Sequence, residues 1–204
     1  MIMMASLIAI FGYQACSTGR FQCDIAHFPD ISHLMGGPPL NKLYAMMLTA
    51  YSMTKQAEAR AYHDRLSSFV SPTLNSLLLV FALMSFICGP GIGFFDCYYN
   101  MDWHMWFTGW FTFGEIFYVV ILVYVIHTNR TQFQASTYYL IDRCMYALGI
   151  AAIVGLCMHF NDYFPGVNVN QIGEWIAFYM DFFCRYNLAM IIKYRSEVVP
   201  SKNQ

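Results

Sequence analysis

The stretch "EWIAFYMDFFCRYNLAMIIKYR", Glu174 to Arg195, decides how the whole chain is read. It has the Phe, Tyr, Ile, Met and Leu content of a helix made for lipid, yet it carries Glu174, Asp181 and Arg185 well before its basic end at Lys193 and Arg195. At 100° per residue these three side chains fall within about 40° of one another, on a single face. An ionisable group inside a membrane costs a few kcal/mol and turns toward a bundle interior or a wet cavity. The segment therefore predicts a helix with lipid on one side and other helices on its charged side. Asp181 and Arg185, four apart, are spaced to form a neutralising ion pair. Glu174 has no partner at i+3 or i+4 and lies about one turn inside the boundary, which makes it a candidate for headgroup binding or proton transfer.

Composition supports a membrane bundle. The chain has 204 residues, 58% apolar, 18% aromatic and 11% charged, with a net charge of −1. Soluble domains carry about 25% charged residues, and no basic excess points to a nucleic-acid partner. Four segments meet the requirement of about 20 apolar residues for a span: Thr73–Phe95, His104–His127, Cys144–Tyr163 and Gly173–Tyr194. Gly89-Pro90-Gly91 predicts a kink or an early exit in the first of these. Ile2–Tyr13 is apolar but short, and Leu43–Thr54 runs into Lys55, Glu58 and Arg60. The Met1–Cys16 stretch has no basic n-region, which favours a first span over a cleaved signal.

The basic residues favour counting all six. Six spans place Lys55, Arg60, Arg65, Arg130, Arg143, Lys193, Arg195 and Lys202 on one side, eight of the eleven Lys and Arg, and leave Arg20 and Lys42 on the other. The positive-inside rule then assigns both termini to the cytosol. The expected fold is an all-α, polytopic membrane protein, a single domain of six transmembrane helices over residues 1–204. Asn129-Arg130-Thr131, the one sequon, falls on the cytosolic side of this scheme.

The opposite side carries Asp24, Asp30, Asp96, Asp102 and Asp162 and a first loop over about 14–40. Cys16, Cys23 and Cys97 fall there, in a disulfide-permissive compartment. Cys23 with Cys97 and Cys16 with Cys23 are both open pairings. Cys88, Cys144, Cys157 and Cys184 read as buried thiols. No CxxC or Cys/His spacing suggests a metal site, and nothing calls for a cofactor.

The loop sequence "CDIAHFPDISHLMGGPPLNKLY", Cys23 to Tyr44, is the most distinctive motif. Pro29-Asp30-Ile31-Ser32 followed by Gly36-Gly37-Pro38-Pro39 resembles the first lumenal loop of the Frag/DRAM/Sfk family of six-span proteins. The double glycine is most similar to the branch typified by post-GPI attachment to proteins factor 2. The polar exit of the second segment, "LTAYSMTKQAEARAYHDRL", and a glutamate opening the last helix, Glu174, also resemble the family. The resemblance implies a Golgi or endoplasmic reticulum membrane protein that remodels the lipid of GPI anchors, as an acyl transferase or its partner. It carries over no catalytic residues.

Candidates for such chemistry come from helical geometry. His104 and Glu115 lie eleven apart on one face of the fourth helix, within about 20°. With Glu174 and His159, near the lumenal end of the fifth helix, they are expected to converge on a lumen-facing cavity. A histidine there would supply the general base that acyl transfer to a hydroxyl requires. The competing reading is a set of buried polar groups bonded across helices. Trp103, Trp106 and Trp110 read as an interfacial aromatic belt. The expected partners are a membrane lipid or glycolipid and other membrane proteins in a complex. The alternative function is a non-catalytic scaffold or anchoring subunit of a lipid-transfer or lipid-kinase assembly.

Overall fold

The structure, a computed structural model, describes residues 2–24, 27, 29–159 and 169–195. Among these there are seven α-helices and no strand: α1 (Ile2–Ser17), α2 (Ile31–Met35), α3 (Leu40–Leu66), α4 (Pro72–Phe94), α5 (Met101–Thr128), α6 (Tyr138–His159) and α7 (Val169–Arg195). Three helical stretches are long and apolar enough to cross a membrane: Pro72–Phe94, Met101–Thr128 and Ala135–Met158. Residues Ser6–Ser17 form a shorter apolar helix.

Short connections between long helices force them to run up and down. The chain thus has a loop end, where α1 and α4 finish and α3 and α5 begin, and an opposite end around Leu66–Pro72 and Thr128–Tyr138. Helix α3 packs on α4, α4 on α5 and α6 on α7, while α1 leans on α2 and α7. Helix α5 shows why this is a helix for an apolar solvent. Its buried face is His104, Gly114, Glu115, Tyr118, Val119 and Leu122, whereas Trp103, Trp106, Trp110, Phe113, Phe117, Val120 and Tyr124 face outward. The outward residues recur every three or four positions, one continuous helical stripe. A soluble protein does not leave so large an apolar stripe in water.

The helix α4 runs unbroken through Pro90 to Phe94, and the expected exit at Gly89-Pro90-Gly91 is corrected. Packing on both sides explains the continuity. A side chain at Gly89 would collide with Ser52 Oγ on α3, one at Gly91 with the Phe107 ring on α5, and one at Gly93 with the Ala45 backbone. The glycines make α4 a flat strip onto which α3 and α5 close, and these neighbours hold the helix through its missing hydrogen bond.

The interior is divided in two. One apolar cluster at the loop end joins Ile8, Ile31, Leu34, Met35, Leu48, Tyr51 and Ile92. The other, toward the opposite end, joins Ala59, Leu66, Leu78, Leu122, Ile126, Cys144, Cys184, Leu188 and Ile192. Between Tyr51 and Ala59 on α3 lies Lys55, and between Phe182 and Leu188 on α7 lies Arg185. The boundary between the two clusters is a layer of charge.

Candidate functional site

Four charged side chains from three helices form that layer. Glu115 of α5 forms ion pairs with Lys55 of α3 through Oε1 and with Arg185 of α7 through Oε2. Arg185 Nε also donates to Asp181 Oδ2 at 2.8 Å, the i,i+4 pair expected from the sequence. The Tyr51 hydroxyl donates to Asp181 Oδ2 at 3.1 Å. Lys55 is 2% exposed, Glu115 6% and Arg185 5%, as buried as the apolar core around them, while Asp181 is half-buried. Aromatic faces complete the shell: the Lys55 ammonium lies 5.2 Å from the Tyr51 ring centre and 5.7 Å from that of Tyr118, and the Arg185 guanidinium 5.0 Å from Tyr118.

The directly paired groups, two cations against two carboxylates, carry no net charge, and the half-buried Glu58 of α3 lies close enough to act on Lys55 and Arg185. At low dielectric that balance decides whether the helices can associate at all, because each unpaired ion would be strongly penalised. Lys55 is therefore not one of the exposed basic residues of a cytosolic segment, as the sequence suggested. It is the counter-ion of Glu115, and Asp181–Arg185 is one half of a four-charge set rather than a closed pair. A signal for Lys55 did exist: Tyr51, Lys55 and Ala59 share one face of α3, and the flanking members are apolar.

The loop end uses its polar groups differently. Asp30 caps α2, accepting from His33 N–H at 2.6 Å and meeting His33 Nδ1 at 2.7 Å. Asp96, 7% exposed, accepts from Gly37 N–H and Tyr98 N–H, both at 2.8 Å. The Glu174 carboxylate, half-buried, accepts from Ile31 N–H. Next to it, Trp175 Nε1 donates to the Pro29 carbonyl at 2.8 Å. Cys97 is a free, buried thiol directed at the Ser32 carbonyl, 3.4 Å away. Burial, with Asp96 and Asp30 nearby, pushes that thiol up to about 11. The disulfide joins Cys16 to Cys23, so the alternative involving Cys97 is excluded.

These contacts account for the motif in the first loop. A side chain at Gly36 would strike the Tyr98 ring, and Gly37 has φ +76°, a conformation that glycine adopts without penalty. Pro38-Pro39, a cis peptide, leads directly into α3. Ser32 lends its carbonyl to Cys97, and Pro29 lends its own to Trp175. The Pro29–Pro39 stretch is thus a clasp tied down by α7 and by the α4–α5 connection.

Of the four residues expected to share one cavity, Glu115 lies away from the loop end, where the structure places His104 and Glu174. His104 is 4% exposed, with Nδ1 2.7 Å from the Phe95 carbonyl and 3.1 Å from that of Ile92. Carbonyls only accept, so the proton sits on Nδ1, and the ring ties the start of α5 to the end of α4. Glu115 lies eleven residues further along α5, about 16 Å at 1.5 Å per residue, and joins the charge layer instead. Glu174 binds the clasp. His159 ends α6, and its side chain lies outside the described residues, as do Asp162 and Lys202. Sharing a helical face left depth free, and depth separates Glu115 from the loop end, where His104 and Glu174 both sit. Among the described residues no group of three or more His, Cys, Asp or Glu is arranged to hold a metal ion.

No family model matches this chain, and neither a curated protein nor a solved structure matches it.

Proposed function

We propose that the chain is a six-span membrane protein of the endoplasmic reticulum or Golgi, with both termini cytosolic, that serves GPI-anchor lipid remodelling as the membrane partner of an acyl transferase. On this reading α1, α3 and α7 cross the membrane alongside the three more apolar helices. Helices α3 and α7 fall short on hydropathy because they carry the charge layer, and their ions are neutralised inside the bundle. The clasp end is lumenal and the arginine-rich end cytosolic. The Frag/DRAM/Sfk resemblance of the Pro29–Pro39 segment supplies the glycolipid role.

The observation that favours a partner over the enzyme itself is how the described candidates for catalysis are engaged. His104 Nδ1 faces two main-chain carbonyls, Glu115 is paired with two cations, and Glu174 accepts from a loop amide. A general base needs reach to the substrate proton, and these groups are directed at the protein itself. The same observation suits the second reading, an anchoring subunit of a lipid-transfer or lipid-kinase assembly.

The test is a cell line lacking the protein. Shedding of GPI-anchored proteins in the lyso form, rescued by the wild-type chain and by Glu174→Gln, is the expected outcome. Normal surface retention in the null line contradicts the glycolipid role. Acyl transfer to lyso-GPI by the purified chain alone contradicts the partner role. Native purification that yields a stoichiometric lipid-transfer or lipid-kinase partner, with GPI anchors unchanged in the null line, selects the second reading. A glycan on Asn129 of the natural protein would contradict the proposed topology.

A further inference from the structure

The end of the bundle opposite the clasp is built as one surface. The α3–α4 connection and the α5–α6 connection meet there through Phe69 and Phe133, whose rings stack edge to face at 5.9 Å. Val70 and Phe133 continue into the same apolar cluster as Leu66, Leu140 and Ile141. Over this floor stand five exposed cationic side chains, Arg60, Arg65, Arg130, Arg143 and Lys193. Among the described residues, the exposed carboxylates at this end are Asp64, which faces His63 at 3.4 Å, and Asp142. His127 adds a further exposed imidazole.

Two of the arginines are held in a way that suits a phosphate. The Arg130 guanidinium lies 5.8 Å from the Tyr138 ring centre, and that of Arg143 5.0 Å from Tyr139. Tyr138 and Tyr139 are neighbours in the first turn of α6, so the two guanidinium groups flank one helix start. An arginine resting on an aromatic ring loses little freedom on binding and keeps its planar N–H edge for a bidentate anion. Tyrosines at this position also suit the depth of lipid headgroups.

We infer that this end binds the phosphate of anionic phospholipid headgroups, with Arg130 and Arg143 as its principal contacts. The inference rests on the helices being membrane spans, and is independent of the glycolipid role. In the cytosolic leaflet such a surface holds anionic lipid against the bundle as a fixed annulus, in line with the behaviour of juxtamembrane basic clusters.

The full-length chain is purified from membranes containing phosphatidylserine and phosphatidylcholine, and retained lipid is measured by native mass spectrometry. The wild type should retain phosphatidylserine preferentially. An Arg130→Gln/Arg143→Gln variant should lose about fivefold of that retention per arginine, the effect of one surface cation. Lys42→Gln, near the clasp, should lose none. Equal retention of both lipids by the wild type, unchanged retention in the double variant, or an equal loss in Lys42→Gln overturns the inference. Displacement of the lipid by excess inorganic phosphate overturns it too, since a free anion would then suffice. Both arginines are exposed, so the variant should unfold at the wild-type temperature. If it does not, Arg60→Gln/Arg65→Gln carries the same test at the same surface, with a smaller expected loss.

Discussion

The middle of the bundle and its clasp end contain the same kinds of side chain, yet they satisfy them by opposite means. In the middle, carboxylates meet cations: Glu115 lies between Lys55 and Arg185, and Asp181 holds the far side of Arg185. At the clasp, carboxylates meet main-chain amides: Asp96 takes those of Gly37 and Tyr98, and Glu174 that of Ile31. The reason is the local supply of donors. Helical backbone in the middle has already bonded to itself, so only side chains can answer a carboxylate there, here two cations and the Tyr51 hydroxyl. The clasp is irregular, with unbonded N–H groups that need acceptors. Charge in the middle joins helix to helix, and charge at the clasp joins loop to helix.

The difference sets a ranking of effects. Glu115→Gln removes the shared anion and leaves Lys55 buried without its ion-pair partner. It should destabilise the protein by about 3–5 kcal/mol, the cost of breaking a buried pair from one side, read as a large fall in the unfolding temperature in detergent. Asp96→Ala strands the amides of Gly37 and Tyr98 and should cost about 1–3 kcal/mol. Its signature is local: faster hydrogen exchange over residues 29–39, with the charge layer still protected. Trp175→Phe deletes one neutral hydrogen bond from the same clasp and should cost only about 0.5–1.5 kcal/mol. If Trp175→Phe proved as damaging as Glu115→Gln, the contrast between the two regions would fail.

Much of the bundle was legible before the structure. The one-sided charges of Glu174–Arg195 predicted an inward polar face on the last helix, and Asp181–Arg185 pairs at the spacing that suggested it. What stayed hidden was depth and partnership across helices. Lys55 reads as the polar end of a short apolar run, because hydropathy prices a lysine without knowing that Glu115 faces it. Asp96 gave no signal, since its role depends on a loop that returns from 59 residues earlier. Thr73–Phe95 reads as one segment with a kink or an early exit, and what excludes the exit is contacts made by Ser52, Phe107 and Ala45 from other helices.

Cys97 provides the smallest and most local probe of the clasp. With its thiol pushed up to about 11, about one molecule in a thousand carries the thiolate at pH 8. Alkylation at that pH should be slow in the wild type and fast once Asp96→Ala loosens the loop. The sign of the linkage follows. The raised value means that the folded state holds this proton more tightly than the unfolded chain, so the stabilisation is complete below the ordinary thiol range near 9. It declines as pH rises from there to about 11. Equal alkylation rates before and after the Asp96 substitution would mean that Cys97 is not covered by the clasp.

The account depends most on Lys55, Glu115, Arg185 and Asp181 acting as one neutral layer, and a double-mutant cycle on Lys55 and Glu115 measures this directly. Lys55→Met/Glu115→Gln removes one charge of each sign and leaves Asp181–Arg185 intact. The double variant should be more stable to thermal unfolding than Glu115→Gln alone, with a coupling of about 1–3 kcal/mol between the two positions. Additive losses, with the double variant less stable than either single one, would contradict the layer.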